Sequence, residues 1–263
     1  MKFFSGFVLL ATLLRCLIGH LIIVPWTAFV SILVVVFGSA KKHEVVTDLM
    51  AFWSKSVLWL YGVEVNFEGL EKLPHSGGAI LLFNHQSHFD IPAVTAFARR
   101  RIRFGAKIEL YKIPFFGSAL KASGCLPIAR ENRVEVLRIY EEAGAQFHQG
   151  VIFALAPEGT RQSTAKIGPF KKGPFIFATR SQVPVVPVVI EGADRVMPKS
   201  SLLVNVGNWK RTIHVRAMNP IYPEKIDTNN EAALTGAVGR LLSTTREIFV
   251  NEFDALRSSA LRN

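Results

Sequence analysis

A chain of 263 residues with 49% hydrophobic content is long enough for one sizeable core, or for a core plus a membrane anchor. Lysine and arginine outnumber the acids 31 to 20, a net charge of +11 that suits an anionic membrane face or nucleic acid. No zinc-ligand pattern, basic low-complexity tail or aromatic-rich nucleic-acid signature accompanies it, so nucleic acid is set aside as a partner. The two cysteines, Cys16 and Cys125, give no disulfide framework, which fits a reducing cytoplasmic setting.

Residues 3 to 38 are almost wholly apolar. The 23 residues from Cys16 to Gly38 carry no formal charge, and as a helix they would span about 34 Å, comparable with a bilayer core. Pro25 and Trp26 interrupt that run near its middle, and Arg15 and His20 interrupt the wider stretch that begins at Phe3. Two arrangements stay open: one crossing helix, or a bent or re-entrant pair of half-helices in one leaflet. A cleaved signal peptide is not expected, because Arg15 lies inside the apolar stretch and no small-x-small site follows it. Beyond Lys41, Lys42 and His43, the positions of Val46, Leu49, Phe52, Trp53, Val57 and Leu60 predict a helix over 45–62. Leu49 and Phe52 alone read as ordinary core packing of an amphipathic helix, but Trp53 and Trp59 beside the basic cluster favour the headgroup region. Residues 1–62 are therefore read as anchor and interfacial helix, and 63–263 as one further domain.

From residue 63 short β-branched runs alternate with helical patterns, predicting an α/β fold: a mixed or mostly parallel sheet flanked by helices. Strands are expected at 63–68, 79–83, 102–106, 125–129, 151–155, 184–190 and 213–217. Helices are expected at 89–99, 114–122, 133–148 and 171–181. A last helix, 231–256, gathers Leu234, Val238, Leu241, Leu242, Thr245, Ile248, Phe249 and Phe253 on one face to pack on the sheet. No internal repeat divides the region.

The informative string is NHQSHFD, residues 84–90, between the apolar strand AILLF and a helical pattern. Active sites collect at the carboxyl ends of such strands. Ser87 followed by Asp90 has the form of a helix-start cap, which puts His85 in the turn and lets Asp90 fold back to the imidazole. A hydroxyl nucleophile needs a base to take its proton near neutral pH, and imidazole suits that task. A carboxylate on the other ring nitrogen fixes the tautomer and stabilises the imidazolium. Two rivals stand beside this reading. Asp90 is a cap and His85 a structural loop residue, or His85, His88 and Asp90 hold a metal, for which a further ligand is missing. No metal is expected.

Three further strings bear on the choice: GCLPIAR (124–130), APEGTR (156–161) after the strand VIFAL, and the proline-bearing VPVVPVVI (183–190). Taken in order with NHQSHFD, they resemble the four sequence blocks of the 1-acylglycerol-3-phosphate acyltransferases and their relatives. The resemblance covers roughly residues 60 to 220 and includes KIELYKIPFFG (107–117). It implies that 63–263 is an acyltransferase catalytic domain moving a fatty acyl group from acyl-CoA or acyl-carrier protein to the free hydroxyl of 1-acylglycerol 3-phosphate, giving phosphatidic acid. It implies His85 as base, Asp90 as its partner, and Arg130, Glu158, Gly159, Thr160 and Arg161 as the acceptor-binding set. Pro127, Ile128 and Ala129 depart from the aromatic or aliphatic pair that commonly precedes the arginine of the second block.

The residue chemistry agrees with that assignment. Arginine offers a planar fork of donors matched to phosphate, and Arg130 and Arg161 end separate strands; either alone reads as a solvated surface residue. Glu158 does not attract a phosphate and is expected to orient Arg161 or accept from an acceptor hydroxyl. Gly159 allows close backbone approach or a simple turn. Lys107 is a further phosphate candidate, while Lys171 and Lys172 read as solvated or headgroup-facing. Pro184 and Pro187 read first as strand-edge features, and the resemblance alone implies a part in an acyl pocket. Cys125 lacks a visible base or cationic partner and reads as a buried structural thiol rather than an acyl carrier. The expected partners are membrane lipid, a lysophospholipid acceptor and the acyl donor, with no cofactor, at the cytoplasmic face of a membrane (the inner membrane if bacterial). The alternatives are another lysolipid or glycerol 3-phosphate as acceptor, or a catalytically silent lipid-binding protein, against which the intact His85 and Asp90 argue.

Overall fold

The computed structural model describes residues 2–96, 100–163, 166–201, 203–205 and 209–260, with only the backbone of residues 2–5 and 7. Seven strands form one sheet in the order β1-β7-β6-β2-β5-β3-β4. They are β1 (Val63–Glu68), β2 (Ala79–Phe83), β3 (Ile102–Lys107), β4 (Leu126–Ile128), β5 (Ile152–Leu155), β6 (Val185–Glu191) and β7 (Arg211–Ala217). All neighbours are parallel except β6 and β7. The expected mostly parallel α/β sheet is therefore present.

Burial explains which runs became central. AILLF, IFAL and VVPVVIE are buried at every position, as strands covered on both faces should be. In β7 buried and half-buried residues alternate along RTIHVRA, the pattern of a strand with one wetter face. Alternate central side chains feed two cores. Leu81, Phe83, Ile152 and Val188 face α2 (His43–Leu60) and α3 (Asp90–Thr95). Ile80, Leu82, Phe153 and Val189 face α5 (Arg133–Gly144), α6 (Gly173–Ser181) and α8 (Glu231–Ala260).

Pro187 departs from its expected edge position, since β6 lies between β7 and β2. The β6–β7 ladder begins only at Val188, opposite Ala217, and the Pro187 carbonyl accepts from Met218 N at 2.8 Å. The missing amide of the proline thus falls outside that ladder, where it removes no bond.

The N-terminal run is one helix, α1 (Lys2–Ser39), continuous through Pro25, so no pair of half-helices forms. Its C-terminal half packs on α2 and on α4 (Phe116–Ser123) through Val30, Val34, Val46 and Ala119. Leu10, Leu17, Leu21, Val24, Phe29 and Val36 stay exposed along it. Residues Val8–Ser39 are long and apolar enough to cross a membrane, and few of them are buried by the protein. Arg15, the charge inside the run, donates through Nε to Leu60 O at 2.9 Å and also reaches Trp59 O, so it caps the carboxyl end of α2. On α2 itself Phe52 and Trp59 are exposed, but Trp53 turns inward and donates Nε1 to Thr27 Oγ1 of α1 at 3.0 Å.

Boundaries moved most where helices were expected to be long. The helix expected over 89–99 is α3, six residues, and Phe97, Ala98 and Arg99 lie outside the described residues. The helix expected over 133–148 ends at Gly144 and passes into a 3-10 turn, Ala145–Gln149.

Candidate active site

Because β2, β3, β4, β5 and β6 run the same way, the loops after β2, β3, β4 and β5 meet at one edge of the sheet. Asn84, the first residue of the turn after β2, is fully buried and ties it to β6. Its side chain donates to Ile190 O at 2.8 Å and accepts from Ile190 N at 2.7 Å.

Asp90 is also fully buried. Its Oδ2 accepts from His85 Nδ1 at 2.8 Å, Gln86 N at 2.8 Å and Ser87 N at 2.9 Å. A carboxylate acceptor there puts the proton on Nδ1, leaving Nε2 as the ring nitrogen with a free lone pair. The acid's half of the expected cap is thus present. The hydroxyl's half differs: Phe89 is the N-cap of α3, and Ser87 Oγ accepts from Phe89 N at 3.2 Å and donates to Met197 O at 2.9 Å.

His85 is only partly exposed and lines a cavity of about 410 Å³. His88, Lys107, Arg130, Thr160, Arg161 and Lys199 also line it. Away from these polar groups it runs between α1, α2 and α4, along Val30, Val34, Met50, Trp53 and Leu120. Its walls therefore come from both sides of the expected boundary at residue 62. Cys125 lines it too, buried, with Ser123 Oγ donating to its sulfur at 3.3 Å.

Arg161 Nη1 is buried with no hydrogen-bond partner among the described residues. Arg130 has its pKa lowered, first by burial and only partly offset by the charge of Glu109. Two guanidinium groups beside one imidazole make the cavity favourable for an anion. Lys107 reaches the same cavity but shares an exposed ion pair with Glu109 at 3.3 Å. Burial, followed by the charge of Arg161, holds the His88 imidazole below its ordinary pKa.

Glu158 is placed otherwise than expected. It is buried; Oε2 accepts from His85 N at 2.7 Å and Oε1 from Gly168 N at 2.8 Å. Burial raises its pKa, against the pull of those two amides. With Gln162 N donating to His85 O at 2.7 Å, residues 158–162 grip the His85 backbone from both sides. Gly159 has φ +73° and donates to Ala156 O at 3.0 Å, the geometry of a tight turn. Among these groups Asn84 lay inside a string already singled out, whereas Lys199 had no sequence signal.

Residues 64–191 match the Acyltransferase family model. The chain is similar to the 1-acylglycerol-3-phosphate acyltransferases over that region and beyond it. The chloroplast 1-acyl-sn-glycerol-3-phosphate acyltransferase of Arabidopsis thaliana is 32% identical over 71% of this chain and 51% of its own length. The human 1-acyl-sn-glycerol-3-phosphate acyltransferase alpha is 26% identical over 85% of this chain and 78% of its own. The chain thus spans about half the length of the plant relative. The crystal structure of the 1-acyl-sn-glycerophosphate acyltransferase of Thermotoga maritima has the same fold, with a TM-score of 0.77, 24% identity, and coverage of 94% of this chain and 97% of that one.

Proposed function

We propose that the protein transfers a fatty acyl group from an acyl thioester to the free hydroxyl of 1-acylglycerol 3-phosphate, giving phosphatidic acid, with His85 as general base. The observation that carries this is the Nδ1 bond of His85 to buried Asp90 beside a cavity that Arg130 and Arg161 also line. The acceptor phosphate binds the two guanidinium groups, with Lys107 and Thr160 at its margin. That places the hydroxyl near Nε2. As its oxygen attacks the thioester carbonyl, Nε2 takes the proton and Asp90 stabilises the imidazolium. The carbon–sulfur bond breaks, and the departing thiolate takes the proton back from Nε2. An ester and a free thiol result, with no cofactor required, since the thioester already supplies the activation. Acyl-CoA and acyl-carrier protein are the two donors with this chemistry.

Both acceptor and product are lipids, and α1 offers the apolar surface that would hold the protein where they reside, at the cytoplasmic face of a membrane. The test is a screen of acceptors with the purified protein against one acyl-CoA and one acyl-carrier protein, read by product mass. Phosphatidic acid from lysophosphatidate is expected. Product only from another acceptor, or none, overturns the assignment.

A further inference from the structure

Beyond Lys107 and the cavity-lining Leu110 and Phe116, the segment KIELYKIPFFG has no part in the chemistry proposed above, yet it is unusually constrained. After a 3-10 turn, Ile108–Lys112, Phe115 takes φ 61° and ψ −53°. Phe116 N donates to Pro114 O at 2.7 Å, which makes this a γ-turn of the positive-φ kind, rare and strained for a residue with a side chain. The surroundings enforce it. A Cβ on Gly117 would lie 2.2 Å from Tyr111 O, so only glycine lets the chain close there. The Tyr111 hydroxyl is in turn tied to Cys125 O at 2.7 Å.

The strained turn directs apolar groups outward: Phe115 is 55% exposed and Ile113 46%. Lys107 and Lys112 lie exposed in the same loop and Lys121 on the helix that follows it, with Glu109 as the acid of the loop. The patch continues an apolar surface already present, since Gly38 of α1 packs against Ala122 of α4, and α1 exposes Phe29, Ile32 and Val36. Exposed apolar tips on a lysine-rich loop, next to a helix that packs on apolar α1, have the chemistry of a surface that enters the headgroup boundary of an anionic bilayer.

We propose that Ile113 and Phe115 insert into the bilayer as a second membrane contact, separate from α1, which seats the mouth of the cavity on the lipid surface. The proposal rests on the membrane reading of α1. Its test uses the full chain with both native cysteines replaced by alanine and one environment-sensitive fluorophore on an introduced cysteine. Vesicles of phosphatidylcholine and phosphatidylglycerol carry brominated acyl chains as quencher. Phe115→Cys and Leu21→Cys labels should both be quenched, and a Tyr222→Cys label should stay aqueous. A quenched Leu21 label with an aqueous Phe115 label overturns the second contact alone; if Leu21 also stays aqueous, the membrane reading falls with it. Phe115→Gly separates folding from binding, because glycine relieves the positive φ. Its melting midpoint should be unchanged or higher while vesicle affinity falls severalfold. A lower midpoint or unchanged affinity would make Phe115 a packing residue and overturn the proposal.

Discussion

The Asp90 carboxylate, by accepting from the imidazole and from two backbone amides, fixes the turn and the tautomer at once. Asparagine in its place would preserve an acceptor but remove the charge, so Asp90→Asn should lower kcat nearly as much as His85→Ala. The latter should fall by about a hundred- to ten-thousand-fold, as expected for loss of a general base. The double variant should be little worse than the poorer single one in single-turnover kinetics; multiplied losses would mean independent roles. Arg161→Ala and Arg130→Ala should raise KM for the acceptor far more than for the donor, with lysine a poor substitute for the fork, as steady-state kinetics in both substrates would reveal. His88 makes a pH prediction. Its folded pKa is depressed below the ordinary 6.5, so its contribution to stability is complete above that value and is lost as pH falls through the folded pKa. The melting midpoint of the wild type should therefore decline relative to His88→Gln as the solution is acidified from neutrality. Parallel curves would place His88 in an environment no different from water.

Besides Asp90, contacts from a second loop hold His85 in position. Glu158 is the clearest case: the motif APEGTR was legible, and its glutamate was expected to meet Arg161 or the acceptor, but its oxygens are taken by His85 N and Gly168 N. Nothing in a linear string reveals that two loops 73 residues apart share a hydrogen bond. Glu158→Gln must set an amide NH2 against one of the two N–H groups, costing about 1–3 kcal/mol of stability. Turnover should fall with it while KM for the acceptor stays near normal, whereas a direct ligand would change KM first. The strands were readable because central parallel strands are continuous apolar runs and β7 alternates. The pair His85 and Asp90 was readable because both lie in one seven-residue string. Trp53 was misplaced because periodicity gives a stripe but not the partner: α1 supplied Thr27, and the indole turned inward. Short α3 was overextended because the helical pattern of 89–99 continues past the point where the structure ends the helix at Thr95.

At the scale of the molecule, α1 is more than a tether, since Thr27, Val30, Ser31 and Val34 form part of the cavity wall. Deleting residues 1–40 should therefore shift the protein towards the soluble fraction, lower its melting midpoint and abolish transfer even on detergent-solubilised acceptor. A truncated protein with full turnover in micelles would restrict α1 to anchoring. The position of β1 bears on how the chain is made. Its sheet neighbour is β7, and the pair is tied by Arg216 to Glu68 across 148 residues of sequence. During synthesis β1 emerges early and waits, its edge unpaired, until nearly the whole chain has been translated, while α1 has long been free to enter lipid. Local helices form within microseconds, but this pairing carries the loop-closure entropy of most of the protein. On the proposed membrane placement of α1, its capture by the bilayer precedes completion of the sheet, and the unpaired strand of the nascent chain is held beside the lipid rather than free in solution, where exposed edges recruit one another.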